Sequence, residues 1–290
     1  METEIPGARV FLNGVENKRQ TPAEIKGLTA GGTYYVSVYK DGFSSWPPMQ
    51  KIILDDDNTT SVNFELKNSS LLGNLAVGVN QQDYKLFIDG IQIRQTPGQP
   101  LSLPAGYHVV SVVKDGYLAT PSYQRILVAP DSTININFDL NVFDEIGYLE
   151  VSSNHSDGFV FIDNQFTGKR PNSGRIPLKP GLHEIRLCGN GIIASPQTER
   201  VRIENGKIVK LDFSQQPAEV VDTMDILQAP AGAVVVLNGV VTPYVTPVTE
   251  ILLSPGPHFV NLIADNKLLS SSAQLVEAGK PDKNRIHLEF

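Results

Sequence analysis

Apolar and polar residues alternate along this chain in short runs. Val36 and Val38 flank Ser37, Val110 and Val112 flank Ser111, Ile185 and Leu187 flank Arg186, and Val260 and Leu262 flank Asn261. Side chains alternate faces along a strand, so the flanking aliphatics point into a core and the middle residue points away. No window carries an apolar stripe at the 3.6-residue period over the length of a helix. Asn-Gly or Asp-Gly pairs at 13–14, 89–90 and 238–239 supply the positive φ that tight hairpins require. The pattern predicts an all-β chain with turn signals at the spacing of a sandwich and about six or seven short strands in each unit.

The pattern repeats four times. ValPheLeuAsnGly (10–14), LeuPheIleAspGly (86–90), ValPheIleAspAsn (160–164) and ValValLeuAsnGly (235–239) correspond, with their Asp or Asn at 13, 89, 163 and 238. Thr21-Pro22, Thr96-Pro97, Arg170-Pro171 and Thr246-Pro247 follow, then Gly32, Gly106, Gly181 and Gly256 at the start of a strand. Lys40-Asp41-Gly42-Phe43 and Lys114-Asp115-Gly116-Tyr117 form a further anchor that decays in the last two copies. A closing strand of the type IleAsnPheAspLeu (136–140) ends each copy. These five anchors in one order define four units, 1–72, 73–146, 147–221 and 222–290, joined by short polar segments. Repeats 2, 3 and 4 open with a strand ending at Val77, Val151 and Ile226. The same count in repeat 1 lands on Met1, so most of its opening strand is missing and its sheet is expected to expose an unpaired edge. A unit this small buries only ~60% of its unfolded surface, so contacts with neighbours matter to its stability.

The AspGly and ThrPro steps, with Pro-Ala-Gly-Tyr-His-Val (104–109) and Lys-Asp-Gly-Tyr (114–117), resemble the PEGA repeat family. Repeat 2 matches best, repeats 1 and 4 clearly, and repeat 3 departs at Arg170-Pro171 and lacks the Lys-Asp-Gly step. The resemblance implies small β-sandwiches related to transthyretin-like folds, of the kind found in tandem in bacterial and archaeal envelope or surface proteins. It brings no catalytic residues.

Composition narrows the function. The chain is 41% hydrophobic and 19% charged, which is the balance of a folded chain rather than a disordered one. A net charge of −7 disfavours a general binder of phosphate backbones, so no nucleic-acid partner is expected. The longest apolar runs, such as Val234–Leu237, are too short to span a membrane as a helix. One cysteine, Cys188, excludes an intrachain disulfide framework and a Cys-rich zinc site; it falls at an apolar strand position, as a buried inert thiol would. The opening MetGluThrGluIle has no basic region or apolar stretch of a secretory signal, which reads as cytoplasmic if Met1 is the native start.

Candidate chemistry is sparse. His108, His183 and His258 sit two residues after equivalent glycines, one per unit, too far apart in sequence pattern to share a metal. Asp55-Asp56-Asp57-Asn58 offers carboxylates for calcium but lacks the spacing of an EF-hand loop. Glu65, Asp139, Asp212 and Glu289 recur singly, as outward strand residues rather than paired catalytic acids. Lys169, Arg170 and Arg175 cluster in the one unit that is not acidic and form a candidate anion site, the alternative being a solvated loop. The aromatics Phe43 and Trp46, with Tyr117 and Tyr123 in repeat 2, are candidate contacts for a sugar ring or a protein; the alternative is that they plug their own cores. No cofactor and no metal is expected.

These readings point to an all-β, elongated array of four tandem small β-sandwich modules. Its expected role is a non-catalytic scaffold, spacer or adhesive arm of the prokaryotic cell envelope or surface, extending to self-assembly by strand addition. The expected partners are envelope or surface proteins. The rival readings are a polysaccharide-binding module and an accessory region of a larger envelope enzyme or kinase. Four sandwiches end to end would reach on the order of 100–120 Å.

Overall fold

A computed structural model describes residues 1–12, 15–28, 33–40, 43–47, 49–54, 59–67, 71–93, 99–218, 222–265, 267–270, 272–279 and 285–290. The described residues form strands, turns and loops, with no helix, and the strands group into two-sheet units. In the second unit one sheet runs Ile91–Ile93, Lys85–Ile88, Gly106–Val113, Gln124–Val128, entirely antiparallel. This is the hairpin sheet. The other runs Leu101–Pro104, Leu72–Val79, Thr133–Val142, Tyr117–Thr120, with its two middle strands parallel. This is the crossover sheet. The third unit repeats both orders with Phe159–Ile162 and Gly181–Cys188 central in one sheet and Gly147–Ser153 and Ile208–Pro217 central in the other. The sheets face each other across an aliphatic core: Leu75, Ile136 and Phe138 meet Ile88, Val110, Val112 and Val128 in the second unit. The expected alternation therefore holds on the inner faces.

The turn motifs have local causes. In the second unit the Tyr117 N–H donates to the Lys114 carbonyl at 3.2 Å, Gly116 takes φ 83°, and the lysine folds over the tyrosine ring at 5.1 Å. The Lys114 ammonium then donates to the Gln82 carbonyl. Lys40 does the same over Phe43 and reaches the Pro6 carbonyl. The threonine of the Thr-Pro step is buried. The Thr21 hydroxyl accepts from the Ala8 N–H, and the Thr246 hydroxyl accepts from Ala233 N–H and donates to the Pro230 carbonyl.

The outward faces are where the fold departs from expectation. Phe11, Phe87, Phe161 and Val236 hold the same place in the hairpin sheets, pointing away from their own cores, and all four are buried. A neighbouring unit covers them. Phe161 stacks on Phe259 with ring centroids 4.1 Å apart and planes within 9°. Phe87 lies under the Lys169 ammonium at 3.3 Å. Phe11 meets Tyr244 edge-on at 6.4 Å. Ser111 and Asn261, the residues flanked by core aliphatics, are buried for the same reason.

The expected elongated, end-to-end arrangement is corrected by these contacts. The first unit touches the fourth, where the Ser37 hydroxyl donates to the Pro243 carbonyl, and the second touches the fourth, where Arg125 donates to the Gly239 carbonyl at 2.7 Å. The physical reason is the aromatic on each outward face, which gains by leaving water. The accessible surface of 14,733 Å² lies between the values for one domain and for four separate units. A single domain of this mass would expose about 12,200 Å², and four isolated quarter-size units about 17,700 Å².

The first unit is the irregular one. Its crossover sheet holds Glu2–Thr3, Asn63–Lys67 and Ser44–Trp46. The opening strand keeps two residues, Glu2 opposite Asn63 and Thr3 opposite Phe64, where the second unit has six parallel pairs.

Candidate functional site

The recurring histidines staple turns. His108 Nδ1 lies 2.7 Å from Asp89 Oδ2, and its Nε2 lies 2.8 Å from the Pro104 carbonyl. The other Asp89 oxygen accepts the Val109 N–H at 2.8 Å. Asp89 itself sits at φ 51°, the left-handed turn position that Asp and Asn tolerate. His183 repeats the arrangement with Asp163 and the Lys179 carbonyl. In the fourth unit Asn238 replaces the aspartate. Its Oδ1 accepts the Phe259 N–H, so its amide nitrogen faces His258 Nδ1 at 2.9 Å.

That replacement changes the ring. Both partners of His108 are acceptors, so both of its nitrogens must carry protons, which is the charged form. Burial opposes that charge, but the Asp89 carboxylate and the Pro104 carbonyl outweigh it and hold the pKa above 6.5. His258 accepts at Nδ1 and donates from Nε2 to the Ser254 carbonyl, which is the neutral form. Burial pushes its pKa below 6.5. These histidines are spent on backbone geometry, and they lie in separate units.

All four units contribute to a cleft of about 730 Å³ at their junction. Tyr39 and Trp46 of the first unit line it with Tyr107 and Arg125 of the second, Arg170 of the third and Val240 of the fourth. Arg125 is largely desolvated, which lowers its pKa, and its guanidinium lies over Phe166 at 5.5 Å. Arg170 Nε donates to the Asp89 carbonyl at 2.8 Å, tying the third unit to the second unit's turn. Aromatic residues, the arginines Arg125 and Arg170, and aliphatic residues such as Leu127 and Val240 share the lining of the cleft. It can hold a flat or ring-shaped polar molecule.

Residues 1–70 and 72–142 match the family model of the PEGA domain. The first two units are PEGA domains. No curated protein matches the chain significantly. Among solved structures, similar strands occur in the Bacillus anthracis TIE protein, at 13% identity and a TM-score of 0.21 over 98% of this chain and 66% of that one. They occur also in the minor pilin GBS52 of Streptococcus agalactiae, at 11% identity and a TM-score of 0.20 over 51% and 97%. A streptococcal ancillary pilin overlays at 10% identity and a TM-score of 0.22 over 75% and 98%. These TM-scores are all well below 0.5, and the overlays transfer neither shape nor role to this chain.

The candidate aromatics of the two PEGA units fall in three different places. Phe43 packs against the core of the first PEGA unit, and Tyr117 packs equivalently in the second. Tyr123 meets Phe166 edge-on at 5.0 Å in the contact with the third unit. Trp46 alone lines the cleft, half-buried. The basic trio Lys169, Arg170 and Arg175 does not converge. Lys169 is buried over Phe87, Arg170 bonds the neighbouring turn, and Arg175 pairs with Glu150 at 3.1 Å. Among the described residues no three His, Cys, Asp or Glu come together as metal ligands, and no helix is long and apolar enough to cross a membrane. Asp55–Asn58 lie outside the described residues. Asp139, Asp212 and Glu289 are exposed, and Glu65 pairs with Lys67. Cys188 is buried beside Phe159 and Phe161, and burial pushes its thiol up to about 12.

What the sequence reading missed is the outward aromatic of this hairpin strand in the first three units, Phe11, Phe87 and Phe161. The signal was present in Val-Phe-Leu, Leu-Phe-Ile and Val-Phe-Ile: an aromatic at the position that alternation sends away from the core.

Proposed function

We propose that the chain is a non-catalytic association module of the prokaryotic cell envelope or surface, built from four sandwich units bounded near residues 72, 146 and 221. The carrying observation is that the His–Asp and His–Asn pairs, the groups most like acid–base machinery, are used at equivalent turns in three units with both ring nitrogens bonded. The outward faces join the units into one body, so the role is to hold a surface in a set shape rather than to span a distance. Its partners are other envelope or surface proteins, its place is extracytoplasmic, and its partners extend to further copies of itself. Two measurements test this. A panel of hydrolase, esterase and kinase substrates should give no turnover with the purified chain. Robust turnover abolished by His108→Ala or Asp163→Asn would sink the reading. Small-angle scattering should give a radius of gyration near ~19 Å, the compact value for this length, rather than the ~29 Å of a rod about 100 Å long.

A second reading is favoured by Trp46 in the cleft: a polysaccharide lies across Trp46, Tyr39 and Tyr107. Trp46 fluorescence should then change on titration with polysaccharide, and Trp46→Ala should remove binding while leaving unfolding nearly unchanged. A stability loss of ~3 kcal/mol or more would instead mark Trp46 as a packing residue.

A further inference from the structure

Arg125 is a largely desolvated cation to which the chain gives no counter-ion. Among the described residues its guanidinium forms no ion pair and makes one hydrogen bond, from Nη2 to the Gly239 carbonyl at 2.7 Å. Its Nε is buried and has no partner. A guanidinium carries five N–H donors, and holding it out of water with most of them unused is costly. The carboxylate whose charge acts on it is Asp89. Both Asp89 oxygens are already taken, Oδ2 by His108 and Oδ1 by the Val109 N–H.

The third unit shows what is missing. Val109 lies opposite Arg125 in the hairpin sheet as Glu184 lies opposite Arg200. Arg200 donates from Nε and Nη2 to Glu184 Oε2, at 3.1 and 2.9 Å. The same arginine position thus faces a carboxylate in the third unit and a valine in the second. Burial alone does not explain the difference. The Arg186 side chain is only 14% exposed, and two carboxylates hold it, Glu184 and Glu277.

The surroundings of Arg125 suit an incoming anion. Arg170 lines the same cleft, and among the described lining residues Asp89, bonded to His108, is the one acid. The cleft is therefore a cationic place on a chain whose net charge is −7. Trp46, Tyr39 and Tyr107 add aromatic surface to it. Its volume of about 730 Å³ lies within the range of roughly 300–1,000 Å³ that holds small organic ligands.

We infer that the cleft takes an acidic polysaccharide, with a uronate carboxylate on the Arg125 guanidinium and the sugar ring against Trp46. The carboxylate supplies the charge and the acceptors that Arg125 lacks, and the pair is stronger in a desolvated cleft than on an open surface. This inference rests on the polysaccharide reading and adds the charge of the sugar.

The test titrates the whole chain with polygalacturonate and with its fully methyl-esterified form, the same polymer with its charge masked. The readout is the fluorescence of Trp46, the only tryptophan. Polygalacturonate should change the signal saturably and bind at least tenfold more tightly than the ester, although protein and polymer carry net charge of the same sign. Arg125→Gln should bring the two polymers to equal affinity, whereas Arg200→Gln should leave the preference intact. Val109→Glu, which gives Arg125 the carboxylate that Arg200 has, should also remove it. The wild-type preference decides the inference even where a variant fails to fold. Equal binding of the two polymers, or a preference that survives Arg125→Gln, overturns the inference and leaves the polysaccharide reading standing. Binding of neither polymer overturns both. Tighter binding of poly-L-glutamate than of polygalacturonate assigns Arg125 to an acidic peptide and overturns the sugar named here.

Discussion

Phe87 and Phe161 occupy the same place in consecutive units and have different covers. Over Phe161 lies the ring of Phe259, stacked at 4.1 Å in an apolar cluster with Phe159, Phe166 and Cys188. Over Phe87 lies the amine of Lys169, 4% exposed and without a hydrogen-bond partner, with the unpartnered hydroxyl of Ser111 on the neighbouring strand. Burial drives the Lys169 pKa well below 10.5, toward the neutral amine. The π-face returns part of the cost to the charged form but cannot replace hydration. One contact is thus a domain core in miniature, and the other is a compromise. The same motif in two units yields two interfaces because the neighbour, not the motif, supplies the second half.

The largest effect expected from breaking this contrast is at the aromatic pair. Phe161→Ala should cost about 3–5 kcal/mol in chemical denaturation, the range for a fully buried phenylalanine. A double-mutant cycle with Phe259→Ala should return a coupling of about 0.5–1.5 kcal/mol; additivity would mean the rings are independent.

Next comes Lys169→Met, which should stabilise the chain by about 1–3 kcal/mol at neutral pH by removing an unpaired buried amine. The unfolded chain binds more protons at this site than the folded one, because the folded pKa is depressed. The wild type should therefore gain stability as pH rises from the folded value toward 10.5. Lys169→Met should abolish that rise. A destabilised, pH-unchanged variant would show that the amine is charged and satisfied.

The smallest effect sharpens the contrast between the staples of the second and fourth units. His108 has a raised pKa, so its pair with Asp89 contributes fully below 6.5 and loses its contribution as pH rises through the folded value. Asp89 is 40% exposed on its side chain, and screening limits the effect to about 1 kcal/mol or less. Asp89→Asn should copy the neutral arrangement of the fourth unit, costing stability only on the acid side and bringing the His108 titration down in NMR. His258, with its depressed pKa, should behave in the opposite sense: its contribution is full above 6.5 and declines as pH falls. A single slope shared by both sites would refute the assignment of charge.

The cleft was only partly legible. Trp46 stood out as the only tryptophan, and the cleft does include it, but Phe43, Tyr117 and Tyr123 are held in cores or in a unit contact. Nothing in repeat periodicity distinguishes these fates, because each residue follows the same turn. The basic trio was misread for a related reason. Nearness in sequence brought Lys169, Arg170 and Arg175 together on paper, while one turn sends them to three environments.

The sequence by itself determined the all-β class, the inner faces and the turn positions. Each of these depends on contacts within about 75 residues, and local alternation with Gly, Pro and Asn punctuation encodes them directly. It did not determine what lies on the other face. Alternation states that Phe11, Phe87, Phe161, Ser111 and Asn261 turn away from their own core, but water and a neighbouring unit are equivalent answers to that rule. Only the tertiary structure decided, by matching rings and carbonyls on surfaces more than 90 residues apart, as Phe161 with Phe259 and Arg125 with Gly239. Such complementarity is a property of two surfaces together and has no signature in either strand alone.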